Sequence, residues 1–174
     1  MSKSFLNNHS VRGLRNNNPG NLIYTNIAWQ GKIPKPQSKD AKFEQFTSIT
    51  YGLRAMLKDL INDINKGQNT VRKLINEYAP KSENNTADYI KRVCNTIKVD
   101  PDEKITAINN DFLILLTRAI LMVELGKAHK EVTDTDINEA LQLLGDVSTT
   151  KLKVTITKGW KIFAPAILFV VFFF

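Results

Sequence analysis

Apolar residues recur at helical spacing through the middle of the chain. Between Thr50 and Lys66, leucine, isoleucine and methionine side chains lie three or four positions apart, and Gly67 follows them. This spacing predicts an amphipathic helix that ends at the glycine. Similar patterns recur further along, each after a polar residue that can cap a helix: Thr70, Thr86, Asp111, and Thr133 or Asp134. The pattern therefore predicts a mainly α fold.

The helix predicted over residues 112–125 differs from the others because it is apolar on nearly all sides. A helix without a polar face is typical of the centre of a core, so we expect it to be buried. Its last turn carries Glu124, and Gly126 follows as a stop. Cys94 falls on an apolar position of the helix after Thr86, and we expect it to pack in the core.

The first 48 residues lack helical periodicity and predict a small irregular or β portion. Residues 1–11 are expected to form a flexible leader without a secretory signal. The segment 12–22 concentrates asparagine, proline and glycine, which predicts a structured turn that is neither helix nor strand. Residues 22–24 and 42–46 are suited to pair as a short hairpin.

The chain ends in an apolar tail from Ile162 to Phe174 that contains no charged residue. As a helix the tail would be about 20 Å long, shorter than the ~30 Å hydrocarbon core of a bilayer. Trp160 and two lysines flank it, which suits a membrane interface and predicts a C-terminal anchor. The alternative is a buried C-terminal strand or helix. The predicted organisation is a leader (1–11), a domain (12–145), a basic linker (146–158) and an anchor (159–174).

The chain is strongly basic. The formal net charge is +7 and the isoelectric point about 9.5. Two explanations stay open: a coding sequence that favours lysine, or attraction to a polyanion such as nucleic acid, anionic lipid or a cell-wall polymer. The basic residues are scattered and no nucleic-acid-binding module is recognisable, so nucleic acid is not an expected partner. One cysteine and two histidines, His9 and His129, predict neither a metal site nor a cofactor.

Any catalysis by this chain is expected to rest on carboxylates, and Glu124 is the first candidate. Apolar surroundings disfavour a charged carboxylate, and so does the negative end of a helix dipole. Both effects raise the pKa of a glutamate in the last turn of an apolar helix, which suits a general acid for glycosidic cleavage. The alternative is a solvated helix end where Glu124 has no catalytic role.

Two further carboxylates lie in conspicuous motifs. Glu44, between two phenylalanines, is a candidate second catalytic residue, with an outward strand position as the alternative. Glu83 and Asn84 precede a predicted helix start, where Glu83 is suited either to cap the helix or to act at a site.

Other polar and aromatic residues are candidates for binding a sugar. Amide side chains both donate and accept hydrogen bonds, so they can bind a ligand or fold back and hold their own turn. The amides in question are Asn16, Asn17, Asn18 and Asn21. Tyr24, Trp29 and Tyr51 are suited to stack on sugar faces, although aromatic residues also dominate the cores of small domains.

Five motifs lie at fixed offsets along the chain. They are Arg-Gly-x-Arg-Asn-Asn-Asn-Pro-Gly-Asn-Leu from residue 12, Phe43-x-x-Phe46, Gly52-Leu53-Arg54-Ala55, Ala79-Pro80-x-x-Glu83-Asn84-x-Thr86-x-x-Tyr89, and Ala119-Ile120-x-x-x-Glu124-x-Gly126. Together they resemble a group of bacteriophage virion proteins with a lysozyme-like, peptidoglycan-degrading character. The resemblance covers residues 11–145 and implies a lysozyme-like helical domain. It also implies that Glu83 and Asn84 join the asparagines and tyrosines in binding substrate.

The function implied by this resemblance is a virion-associated lytic transglycosylase, or a muramidase or glucosaminidase, that aids phage genome entry. A transglycosylase needs one acid, whereas a hydrolase needs a second carboxylate. The implied partners are bacterial peptidoglycan, the lipid of an internal viral membrane contacted by the apolar tail, and capsid or vertex proteins. The alternatives are a structural virion protein that binds peptidoglycan or bridges capsid and membrane without catalysis, and a DNA-contacting membrane protein.

Overall fold

The computed structural model describes residues 3–81 and 85–145 and confirms a mainly α protein. Helices α1 to α6 span Arg12–Arg15, Ile49–Asn65, Val71–Tyr78, Thr86–Ile97, Asn110–Glu124 and Asp134–Leu144, with 3-10 helices at Lys35–Gln37 and Gly126–Glu131. Glu83, Asn84, the basic linker and the apolar tail lie outside the described residues. Among the helices in the described ranges, none is both long and apolar enough to cross a membrane. Anchoring through the tail stays a prediction.

Two of the predicted helix caps are confirmed. The Thr70 hydroxyl accepts a hydrogen bond from the Lys73 amide at the start of α3. Thr133 and Asp136 form a capping box at the start of α6, in which each side chain accepts from the other residue's amide. These caps satisfy amide groups that have no partner within the helix.

Two other caps were predicted one or two residues too late. The caps of α4 and α5 are Asn85 and Asn109, so the predicted caps Thr86 and Asp111 lie inside the helices. Asparagine ranks among the best N-cap residues, and in both cases one stands before the predicted position. Thr86 has a different partner, because its hydroxyl donates to the Ala79 carbonyl at 2.6 Å and ties α4 to the end of α3.

The asparagine turn, residues 16–21, follows a helix that the sequence analysis did not predict. The expectation that residues 12–22 contain no helix was wrong for α1, where the Arg15 amide donates to the Val11 carbonyl at 2.9 Å. Asn17 and Asn21 then adopt left-handed conformations, with φ of 49° and 50°. Asparagine tolerates this conformation better than most residues, which explains why asparagine suits these two positions.

The hairpin that the sequence allows is present only as isolated bridges. Ile23 and Phe43 form one antiparallel bridge, flanked by two backbone hydrogen bonds of 2.9 Å between residues 22–24 and 42–44. Lys32 and Phe46 form a second bridge. Within residues 3–81 and 85–145, β structure is limited to such isolated bridges.

The core lies between the long helices, and α5 contributes one face to it. α5 packs against α4 and α6, and α6 in turn packs against α2. Leu113, Leu116 and Ile120 are fully buried, whereas Leu115 and Met122 are 39% and 38% exposed. We expected α5 to be buried on all sides, but only its inner face is buried. In the part of the chain that the structure describes, no other element covers its outer face. Burial of the single cysteine in the core is confirmed.

Candidate functional site

A cleft of about 720 Å³ opens between the irregular N-terminal portion and the helices α2, α3 and α5. Its lining combines apolar or aromatic faces with carboxylates. The side chains at its walls are Asn21, Leu22, Ile23, Thr25, Ile27, Trp29, Lys42, Phe43, Asp59, Asp63, Glu77, Tyr78, Pro80 and Glu124. Concave sites that offer apolar surface and a few convergent polar groups are typical of ligand-binding clefts.

Glu124 is the last residue of α5, and both of its carboxylate oxygens are held by distant parts of the chain. Asn21 Nδ2 donates to Oε2 at 2.8 Å, and the Tyr89 hydroxyl donates to Oε1 at 2.7 Å. Asn21 belongs to the asparagine turn and Tyr89 to α4, so two separate elements converge on the end of α5. These contacts orient the carboxylate at the cleft wall, in contrast to a freely solvated helix end.

The surroundings of Glu124 shift its pKa upward. Burial raises the pKa of Glu124 above its usual value, and the hydrogen bonds from Asn21 and Tyr89 oppose that rise only in part. Burial and the nearby Glu124 charge raise the pKa of Tyr89 well above its ordinary value, so its hydroxyl keeps its proton and remains a donor. A carboxyl group with a raised pKa, fixed at a cleft wall, has the properties of a general acid.

Three of the four asparagines are buried and bonded within the protein. Asn16, Asn17 and Asn18 are no more than 1% exposed. Asn17 Nδ2 donates to the Phe46 carbonyl at 3.0 Å, and its Oδ1 accepts from the Phe5 amide at 2.8 Å. These contacts favour the second of the two roles considered for the asparagines, which is to hold the turn.

Asn21 is the asparagine of the turn that lines the cleft, and the packing of the turn explains its position. The backbone of Asn17 lies directly on α2, since a Cβ atom at Gly52 would stand 1.8 Å from the Asn17 carbonyl oxygen. The Tyr78 hydroxyl at the end of α3 donates to the Gly20 carbonyl at 2.5 Å. Both contacts fix the turn against the helices and bring Asn21 to the end of α5.

Glu44 lies below the surface beside the cleft and is not among its lining residues. Its side chain is fully buried, and its Oε1 accepts from Lys32 Nζ and from the Thr25 amide, both at 2.9 Å. This buried ion pair ties residues 25–32 to the segment that carries Glu44. A catalytic role for Glu44 stays a prediction.

The predicted stacking residues are not brought together at the cleft. Tyr24 is half-buried, with the ammonium groups of Lys32 and Lys35 at 4.1 and 4.3 Å from its ring centre. Tyr51 is half-buried as well and packs on a small apolar cluster that includes Phe46. Of the three aromatic candidates, Trp29 is the one that lines the cleft. Sugar binding by Tyr24 and Tyr51 stays a prediction.

Asp59 is a cleft residue that the sequence analysis missed. Burial, followed by the charge of Asp63 one turn further along α2, raises the pKa of Asp59 to about 6. The available signal was the pair of aspartates four positions apart, because like charges at that spacing destabilise a helix. In residues 3–81 and 85–145, no group of three or more His, Cys, Asp and Glu side chains is arranged to hold a metal ion.

The fold and the cleft together define a small helical domain with a carboxylate-lined site. No protein-family model matches the chain. The chain is similar to Protein P5 of Pseudoalteromonas phage PM2, with 31% identity over 102 residues. The alignment covers 56% of this chain and 62% of the phage protein, so the chain spans less than two thirds of that relative. The similarity relates this chain to a bacteriophage protein.

Proposed function

We propose that the chain is a lysozyme-like glycosidase of a bacteriophage virion that degrades bacterial peptidoglycan, with Glu124 as its general acid. The observation that carries the proposal is the Glu124 carboxyl group, held by Asn21 and Tyr89 at the wall of a 720 Å³ cleft with its pKa raised by burial. Similarity to a phage protein supports the virion setting. The aromatic face of Trp29 in the same cleft suits a sugar ring.

The proposed reaction begins with proton transfer from Glu124 to the glycosidic oxygen. The bond between that oxygen and the anomeric carbon breaks, and the bonding electrons leave with the oxygen, which gives an oxocarbenium-like sugar. In a transglycosylase, the 6-hydroxyl of the same muramyl residue then attacks the anomeric carbon and returns a proton to Glu124. An anhydro-muramyl end is the product. In a hydrolase, water attacks instead and a second carboxylate accepts its proton.

A second carboxylate, where the reaction needs one, is best supplied by the acidic residues of α2. Asp59 and Asp63 line the same cleft as Glu124. Glu44 is less suited, because its Oε1 already binds Lys32 and its side chain is fully buried. We therefore assign Glu44 to the support of the cleft wall.

The virion setting also includes the part of the chain outside the described residues. We propose that residues 159–174 attach the domain to an internal viral membrane, which would hold the cleft at the virion until genome entry. The thirteen uncharged residues from Ile162 to Phe174 support this attachment. Capsid or vertex proteins are further proposed partners. A structural protein that binds peptidoglycan without cleaving it is the competing outcome of the experiment below.

The test compares the full-length chain, in mild detergent, with its Glu124→Gln variant on purified Gram-negative sacculi. Fragment release is measured by mass spectrometry, and circular dichroism checks that the variant is folded. We expect a loss of about 10²- to 10⁴-fold, the usual contribution of general acid catalysis. Glu103→Gln, at an exposed position outside the cleft, is the matched control.

Each outcome has a distinct meaning for the mechanism. Anhydro-muramyl ends identify a transglycosylase, and reducing ends identify a hydrolase. Equal release by the wild type and Glu124→Gln contradicts the role of Glu124. Binding without any fragment release by the wild type contradicts the enzyme and favours the structural protein.

A further inference from the structure

A second cavity, of about 380 Å³, adjoins the cleft and has the opposite charge. We call it the basic pocket. Its charged lining residues are Arg12, Arg15, Lys39, Lys42 and Asp40. With four cations and one carboxylate, the formal charge around the pocket is +3. Asn16 and Gln45, which are 1% and 2% exposed, contribute amide groups to the same cavity.

The charge of Asp40 is already satisfied within the protein. Its Oδ2 accepts from Asn16 Nδ2 at 2.8 Å and lies 3.4 Å from Arg12 Nε. Its Oδ1 accepts from the Lys42 and Phe43 amides, both at 3.0 Å. Burial opposes ionisation, but these hydrogen bonds and the Arg12 charge outweigh it and lower the pKa of Asp40. Asp40 is therefore ionised at neutral pH, with its oxygens occupied.

Two of the cations have no carboxylate partner in the described part of the chain. Arg15 Nη1 donates to the carbonyls of His9 and Ser10, at 3.0 and 2.8 Å, which carry no net charge. Lys39 is exposed, and the hydrogen bond that it donates to Gln45 comes from its backbone amide. The basic pocket therefore has positive charge that the protein does not neutralise, and guanidinium and ammonium groups of this kind bind carboxylates well.

The basic pocket and the cleft share a wall. Lys42 lines both cavities, and the neighbouring Phe43 lines the cleft. The Arg12 guanidinium lies 5.1 Å from the centre of the Phe43 ring. The cleft itself is acidic, with the carboxylates of α2, α3 and α5 along it. An uncharged glycan suits that cleft, whereas anionic groups attached to the glycan are repelled from it and attracted to the basic pocket.

We propose that the basic pocket binds carboxylates of the stem peptides of the same peptidoglycan strand whose sugars occupy the cleft. This inference rests on the proposed function, because it takes the polymer in the cleft to be peptidoglycan. The stem peptides branch from the sugar chain and carry free carboxylates. Arg12, Arg15 and Lys39 would select strands that retain their stems over stripped glycan.

The test measures binding by the Glu124→Gln chain, so that turnover does not remove the ligand. Two ligands are compared: intact sacculi, and stripped glycan, which consists of the strands released by an amidase after the lactyl carboxylates that the amidase exposes have been converted to amides. The double substitution Arg15→Gln and Lys39→Gln removes the two cations that have no carboxylate partner, and in this background we expect it to weaken binding to intact sacculi roughly three- to tenfold, as for two ion pairs at a solvent-accessible site. Binding to stripped glycan should not change.

The control carries the same charge change away from both cavities, at the exposed lysines Lys73 and Lys91. Lys39→Gln alone provides a milder variant at an exposed position, should the double variant misfold. Equal losses on both ligands, or no loss on intact sacculi, overturn the inference. Cleavage is measured separately with Glu124 intact. Stem-dependent binding without cleavage would overturn only the proposed enzyme, and cleavage without stem-dependent binding would overturn only the basic pocket.

Discussion

Asn18 lies within the asparagine turn, and its replacement by alanine tests whether that turn holds the cleft wall in place. The side chain is fully buried. Its Nδ2 donates to the Leu22 carbonyl at 2.9 Å and to the Glu44 carbonyl at 3.0 Å, and its Oδ1 accepts from the Leu22 amide at 2.9 Å. One side chain thus closes the turn and joins it to the segment that carries Glu44.

The expected cost of Asn18→Ala follows from these three hydrogen bonds. A typical hydrogen bond contributes about 1 kcal/mol, so the free energy of unfolding should fall by about 3 kcal/mol. The Leu22 carbonyl keeps a second partner, the Glu44 amide at 2.9 Å, but the Leu22 amide loses the acceptor that Asn18 provided. In a protein of this size, such a loss lowers the midpoint of thermal unfolding by about 6–12 °C.

Urea unfolding of the full chain, followed by circular dichroism at 222 nm, measures this cost. Asn26→Ala is the matched control, because Asn26 is an exposed loop residue. We expect the control to change the free energy of unfolding by less than about 0.5 kcal/mol. A loss below about 1 kcal/mol for Asn18→Ala, or one equal to the control, would refute the structural role of this asparagine.

Three further predictions concern α2 and the Glu124 environment. The pKa of Asp59 is about 6 in the folded state against an ordinary 3.8, so its stabilising effect is present below pH 4 and is lost as the pH rises through 6. Asp59→Asn should therefore raise the unfolding temperature at pH 7.5 but not at pH 4, and equal changes at both would contradict this. Tyr89→Phe removes a hydrogen bond that lowers the pKa of Glu124. The alkaline fall in peptidoglycan cleavage should therefore move to higher pH, and a move to lower pH in the pH–rate profile would count against Glu124 as the acid. Gly52→Ala places a Cβ atom 1.8 Å from the Asn17 carbonyl oxygen and should cost at least about 2 kcal/mol in urea unfolding, whereas a neutral effect would show that α2 and the turn separate easily.

The long helices were predictable because each one buries a single face, and burial of one face requires apolar residues at helical spacing. Their ends were less predictable. The N-caps of α4 and α5 are Asn85 and Asn109, and not the predicted Thr86 and Asp111. In both places several good capping residues follow one another, and tertiary packing decides which of them begins the helix. The short helix α1 has too few residues to produce a periodic pattern.

The position of Glu124 at the end of an apolar helix was predictable from the sequence, and so was the direction of its pKa shift. Its partners were not, because Asn21 lies 103 residues away and Tyr89 lies 35 residues away along the chain. Such contacts depend on how the elements pack. That packing divided the predicted set of four asparagines: Asn21 lines the cleft, and the side chains of the other three are buried within the protein.

The same packing explains why charge was hard to interpret from composition alone. A net charge of +7 suggests a uniformly basic surface, yet the fold separates the charges into an acidic cleft and a basic pocket. Arg12 and Arg15 lie three positions apart, so the turn of α1 brings them to one side. Asp59 and Asp63 lie four positions apart on α2 and are brought together in the same way. The charge of Asp63 contributes to the raised pKa of Asp59, so the spacing of the two aspartates affects the chemistry of the cleft directly. The spacing of like charges on helices was therefore more informative about the site than the total charge.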